Sequence, residues 1–88
     1  MKTVYKYPVA GQDYFKILMP KDANILSVQT QSDDTVSLWA YVDTDAPLEH
    51  RYFRIAGTGH EITDEHILFI GTFQVSEYLV FHLFEILN

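Results

Sequence analysis

The run Ile25-Leu26-Ser27-Val28-Gln29-Thr30-Gln31-Ser32-Asp33-Asp34-Thr35-Val36-Ser37-Leu38-Trp39-Ala40-Tyr41-Val42 decides the fold class. In its first part Leu26, Val28 and Thr30 alternate with Ser27, Gln29 and Gln31. In its last part Val36, Leu38, Ala40 and Val42 alternate with Thr35, Ser37, Trp39 and Tyr41. A period of two puts one set on each side of an extended chain, the signature of a strand with one buried and one wet face. Ser32-Asp33-Asp34 is a tight polar turn, so the two strands are expected to form a hairpin. The wet face of its second strand carries the only tryptophan beside Tyr41, and this pair is either a lid over the core or a platform for a ligand.

Outward from the hairpin the same reading repeats. Pro20-Lys21-Asp22-Ala23-Asn24 is a turn, preceded by a strand over 13–19 with Phe15, Ile17 and Met19 opposite Tyr14, Lys16 and Leu18. Thr3-Val4-Tyr5-Lys6-Tyr7 is β-branched and aromatic and stops at Pro8 and Gly11, as a first, edge-type strand would. On the other side Asp43-Thr44-Asp45-Ala46-Pro47 is a turn, followed by a strand over about 49–56 and another over 67–73 with Gly71 in its middle. Residues 61–66 are polar and read as a loop or one helical turn. The last segment is apolar on both sides, Tyr78, Val80, Phe84 and Ile86 opposite Leu79, Phe81, Leu83 and Leu87, as in a central strand or an interface strand. Periodicity alone leaves a helix over 76–88 as the rival, and the branched and aromatic enrichment favours a strand. Seven short strands at regular spacing predict an all-β fold, a small antiparallel β-sandwich or barrel, as a single domain over 1–88.

The chain has 88 residues, of which 48% are hydrophobic, enough for one thin core that self-association would help. The absence of cysteine excludes a disulfide framework and thiolate metal sites. A formal charge of −6 argues against ordinary duplex nucleic-acid binding, which rests on many phosphate contacts from Lys and Arg. No apolar run has the length of a membrane span and no signal-peptide core opens the chain, so no membrane partner and a cytoplasmic setting are expected.

Recognition chemistry concentrates in His50-Arg51-Tyr52-Phe53-Arg54-Ile55-Ala56-Gly57-Thr58-Gly59-His60, which holds both arginines, two of the four glycines and two of the four histidines. Arg51, Arg54, Gly57, Thr58, Gly59 and His60 form a candidate anion site: a Gly-Thr-Gly turn can present its amides as a nest, Thr58 can donate a hydroxyl, and guanidinium forks match phosphate or carboxylate. Tyr52 and Trp39 can stack on a base while an arginine holds phosphate. Alternation puts Tyr52 and Arg54 on one face and Arg51 with Phe53 and Ile55 on the other, so Arg51 joins the site only through a bulge or a second subunit. The alternative is that the glycines make a β-bulge and the arginines pair with surface carboxylates such as Glu49 or Glu61.

Other constellations are weaker. His50, His60, His66 and His82, with Asp64 and Glu65, match no metal-ligand spacing; no metal and no cofactor are expected, and His82, between Val80 and Phe84, reads as a satisfied core histidine. The Asp43 and Asp45 loop lacks the ligand series of a calcium site, and no nucleophile elbow is present, so no catalytic residue is assigned.

Lys6-Tyr7-Pro8, Met19-Pro20, Ile25 to Gln29, Leu38-Trp39-Ala40, Ile70-Gly71-Thr72-Phe73, Val80-Phe81-His82 and above all Phe53-Arg54-Ile55-x-Gly57-Thr58-Gly59-His60 resemble a family of small uncharacterised proteins of tailed phages and prophages. The resemblance covers most of the chain. It implies a phage accessory protein in the host-cell cytoplasm, and such proteins include counter-defence factors that sequester nucleotide signals as oligomers. On that basis the expected function is non-catalytic binding of an anionic nucleotide-like ligand by a homo-oligomer joined through 78–87. The alternative expectation is an acidic protein-protein interaction module that inhibits a host protein or serves virion assembly.

Overall fold

Each segment marked by alternation becomes a strand. The computed structural model describes residues 1–87 and contains β1 (Lys2–Pro8), β2 (Tyr14–Pro20), β3 (Asn24–Thr30), β4 (Val36–Asp43), β5 (Leu48–Gly57), β6 (Ile67–Val75) and β7 (Leu79–Ile86). They form two antiparallel sheets, one of three strands in the order β1-β4-β3 and one of four in the order β2-β5-β7-β6. The protein is an all-β sandwich, and residues 79–86 are strand, not helix.

Turn chemistry explains the joints. In the β3-β4 hairpin the Asp34 amide donates to the Gln31 carbonyl (2.9 Å) and Asp34 adopts φ 64°, a left-handed conformation that a short Asx side chain tolerates. The Asp33 carboxylate accepts from the Thr35 hydroxyl at 2.6 Å and the Thr35 amide at 3.2 Å, and these bonds hold it below the usual carboxylate range. Between β2 and β3 the Ala23 amide donates to the Pro20 carbonyl (3.1 Å) with Asp22 at φ 63°.

The facing sides of the two sheets make the core. Leu38, Ala40 and Val42 of β4 meet Phe53, Leu83, Met19 and Phe73 of the larger sheet, and Phe15 stacks on Phe53 with centroids 5.2 Å apart. Burying a side chain such as Phe53 or Leu83 contributes roughly 1.5–3 kcal/mol, so these few residues dominate the stability of a domain this small.

One expectation is revised and two open alternatives are resolved. Strict alternation in β3 fails because the ladder to β4 shifts between Ile25 and Ser27; the bulge sends Leu26 out to solvent and leaves Ile25 and Val28 on the inner side. The polar stretch 61–66 contains no helical turn. The apolar strand β7 is flanked on both sides, by β5 and β6, so its backbone has no free edge to pair with a second copy, and only its outward side chains remain for contact.

On one side the sandwich closes: β3 lies against β6, where the Thr30 hydroxyl donates to the Gln74 carbonyl (2.6 Å). The other edges, β1 and β2, do not pair with each other. Closure depends on Gly71, beside the bulge between Phe69 and Gly71, because a Cβ there would stand 2.9 Å from a methyl carbon of buried Val28. Gly71→Ala is therefore expected to push β6 off β3 and to cost about 1–3 kcal/mol by overpacking, read as a lower urea midpoint with an unchanged slope.

Candidate binding site

The connection from β5 to β6 builds the region that holds most of the candidate residues. Both strands are antiparallel to β7 and so parallel to each other, and residues 58–66 must return from the Gly57-Phe81 end of β7 to its Ile67-Ile86 end. The chain first reverses. The His60 amide donates to the Gly57 carbonyl (3.0 Å) and Gly59 takes φ 86°, the arrangement of a type II turn with glycine at its third position.

This turn is not an open anion nest. Of the amides at 58, 59 and 60, that of Thr58 donates to the Val80 carbonyl (3.3 Å) and that of His60 closes the turn. The Thr58 hydroxyl lies 2.8 Å from His82 Nε2, and the Thr72 hydroxyl lies 2.9 Å from His82 Nδ1. Neutral imidazole donates from one nitrogen and accepts at the other, and either hydroxyl can supply the complement. His82 thus ties the start of the crossover to β6 across β7. It stands on the outer side of the sheet and is half-buried, so the core-histidine reading is corrected: Phe81, Leu83 and Glu85 are the inward members of β7.

The two arginines part company as alternation requires. Arg51 faces inward and binds Glu85 through both a Nε contact and a Nη2 contact (2.9 Å), while its Nη1 donates to the Ala23 carbonyl (2.8 Å). It joins β5, β7 and the β2-β3 turn. The hydrogen bond to Glu85 raises the guanidinium above its ordinary value against the opposing effect of burial. Arg54 faces outward under the crossover, its guanidinium 4.8 Å from the Tyr14 ring centre and its Nη2 donating to the Glu61 carbonyl (3.1 Å). The Tyr14 hydroxyl in turn donates to Asp64 (3.0 Å). Arg54 Nε is buried without a hydrogen-bond partner among the described residues.

Tyr52 stands exposed on the same outer face as Arg54, with Lys16 directly opposite on β2 and Ile86 on β7. His60 is exposed at the turn, its ring folded against Gly57. Trp39 is elsewhere. It lies on the outer face of the three-stranded sheet with the Lys6 amine 5.9 Å from its ring centre, so the full depth of the sandwich separates it from Tyr52. No small ligand touches both. Among the described residues no three His, Asp or Glu side chains gather as a metal would require.

Two features escaped sequence reasoning. The apolar outer face of the larger sheet, with Leu18, Tyr52 and Phe69 exposed and Phe84 and Ile86 between them, needs the strand order to be seen. The Tyr14-Arg54 stack needs the β2-β5 register, in which the two residues are partners.

Fold and site define a small two-sheet β-sandwich whose outer sheet face is strapped by a hydrogen-bonded crossover. The chain belongs to a family described as a domain of unknown function (DUF7352), whose model matches residues 1–87. No curated protein and no solved structure matches it.

Two stability predictions follow from the arginines. Arg51→Ala leaves Glu85 inside without its partner and is expected to cost about 3 kcal/mol in urea denaturation, most of which returns when Glu85→Leu is combined with Arg51→Met. Arg54→Ala is expected to cost less, about 1–2 kcal/mol, from loss of the ring stack and a charged hydrogen bond. The distinguishing readout for Arg54→Ala is faster amide hydrogen exchange confined to 58–66.

Proposed function

We propose that this protein is a non-catalytic binding module that engages another protein through the outer face of its four-stranded sheet. The observation that carries the reading is the apolar set on that face. Leu18, Tyr52 and Phe69 are each close to half exposed, at 47%, 45% and 57%, and Phe69 packs edge-on against half-buried Phe84. Large apolar side chains gathered on one face of a small protein mark contact surfaces more often than scattered ones do. The crossover beside them exposes Glu61 and Glu65, which favours a partner surface with an apolar centre and a basic rim. The acids of the hairpin turns contribute less, since Asp45 and Asp43 lie 2.8 and 3.5 Å from the N-terminal amine and Asp33 and Asp34 lie at the other end of β4.

In keeping with the resemblance to small tailed-phage proteins, we place this module among phage accessory proteins that act on a host protein or in virion assembly, within the host-cell cytoplasm. Self-association through the same face is the competing occupant. The test is retention of a host protein at low salt. Phe69→Asp, or Glu61→Lys with Glu65→Lys, is expected to abolish retention, whereas Trp39→Ala on the far face leaves it intact. Retention that ignores all these changes, or a stable homodimer that Phe69→Asp dissolves without any host protein being bound, overturns the reading.

A second reading, an anionic nucleotide-like ligand, has one supporting observation: Lys16 lies opposite Tyr52 in an open cleft of about 500 Å³ that also includes Tyr14 and Ile86. In this form the cation is Lys16, because Arg51 and Arg54 are engaged within the protein. Calorimetric titration with cyclic dinucleotides and ADP-ribose derivatives is expected to give heat that Tyr52→Ala and Lys16→Ala each remove; silence across the panel ends this reading.

A further inference from the structure

The unpaired edges of β1 and β2 combine free backbone hydrogen-bonding groups, which the other two terminal strands β3 and β6 also carry, with the lysines of the chain. The ladder phase shows which backbone groups are free. The Ile55 amide donates to the Asp13 carbonyl (2.8 Å) and the Lys21 amide to the Pro47 carbonyl (2.7 Å), so the odd-numbered residues from 13 to 21 exchange bonds with β5. Tyr14, Lys16 and Leu18 consequently direct their N–H and C=O groups away from the sheet, and Pro20, which has no N–H, ends the row. The same argument on β1, from the Val9 amide to the Val36 carbonyl (2.9 Å) and the Thr44 amide to the Met1 carbonyl (2.8 Å), leaves Lys2, Val4 and Lys6 facing outward along the edge.

The charge is sorted along the chain in the same way. All four lysines, at 2, 6, 16 and 21, lie on or immediately beside these two strands, and Asp13 is the only acid before residue 22. The other eleven acids follow, accompanied only by the two arginines, which are held internally. The four lysines of an acidic protein thus lie along these two edges, Lys2 within the field of Asp43 and Lys6 within that of Asp33, which leaves Lys16 as the cation midway along β2. Beside β2 runs the open cleft of about 500 Å³, with Gln12, Tyr14, Phe15, Lys16, Tyr52 and Ile86 on its walls.

We infer that the β2 edge takes up an extended acidic peptide segment as an added antiparallel or parallel strand. Main-chain bonds to Tyr14, Lys16 and Leu18 hold the segment. Side chains on its outer side lie next to Lys16 and are acidic, and those on its inner side cover half-buried Phe15 and Ile17 and are apolar. Lysines on edge strands commonly serve to keep copies of a protein apart. Here that role and the binding role are the same physics: a second β2 edge brings lysine toward lysine, and an acidic strand brings the opposite charge. The β2 edge shares Leu18 and Tyr52 with the outer face proposed above, but Phe69 stands on β6 at the opposite edge of the sheet, so Phe69→Asp is expected to leave peptide binding unchanged and each proposal can fail alone.

The test uses the full chain and a synthetic peptide of seven residues, the length of β2, with alternating glutamate and valine. The expected result is binding in which amide resonances of Tyr14, Lys16 and Leu18 shift most, and which Lys16→Glu weakens by about tenfold through charge reversal. Leu18→Pro, which removes one edge donor, is expected to abolish it, with circular dichroism and the melting temperature of Lys16→Glu unchanged as the control for folding. The inference is overturned if the glutamate peptide does not bind at millimolar concentration, or if a lysine-valine peptide binds equally well. It is equally overturned if the shifts centre on Phe69 and Phe84, or if a single-stranded oligothymidine or a nucleotide takes the site in preference to the peptide.

Discussion

The crossover between β5 and β6 is the constraint on which the outer half of the molecule depends. Two parallel strands on either side of β7 need a connection that runs back along the sheet, and such connections usually take a dozen residues or more. Here 58–66 do it. Gly57 pairs with Phe81 and Ile67 with Ile86, so the return covers about 17 Å along β7 and about 10 Å across two strand spacings. The reversing turn uses the first residues, and 61–66 must then run close to full extension. A chain so stretched has no regular backbone partners of its own. Side chains of the sheet beneath hold it instead, Arg54 through the Glu61 carbonyl, and Tyr14 and His82 through the side chains of Asp64 and Thr58.

That constraint accounts for the concentration of unusual residues at 50–60. Arg54 is a pin for the strap, Gly59 supplies the positive φ of the reversal, and Thr58 anchors its first residue. Arg51, three residues earlier and on the opposite face, performs the matching task inside, linking two strands and a turn through Glu85 and the Ala23 carbonyl. Arg51 stands where acceptors from Glu85 and Ala23 converge, Arg54 combines one acceptor with a ring face, and both uses suit a planar guanidinium, while the single-point ammonium groups lie on the exposed edges. Structural demand and recognition chemistry draw on the same residue types, so a cluster in sequence does not by itself distinguish them.

Strand order also decides which surfaces can act together. The sheets are stacked within a fold only 16 Å across in its shortest Cα dimension, yet that depth puts Trp39 and Tyr52 on opposite outer faces. It unites Leu18, Tyr52, Phe84 and Phe69, drawn from four different strands, on one. Closure of β3 on β6 through Gly71 and Val28 packs those two terminal strands together, whereas the edges of β1 and β2 are not so packed.

Much of this was legible in the residues themselves. Period-two alternation located β2, β3 and β4, β-branched and aromatic content between turn residues located the other strands, the Asx and proline clusters located the turns, and parity alone set Arg51 apart from Arg54 and put Phe53 and Ile55 inside. These are local properties, fixed by the geometry of an extended chain over two or three residues. Pairing is not local. That Arg51 meets Glu85, that Arg54 lies on Tyr14, that His82 bridges two threonines and that bulges fall at Leu26 and Ile70 depends on residues 10 to 50 positions apart being brought into register. The segment from His50 to His60 thus announced by its composition that it mattered. Only the packing of two sheets and one stretched crossover decided that its arginines hold the fold together, because an acceptor's position in space is set by the whole topology and not by its neighbours in sequence.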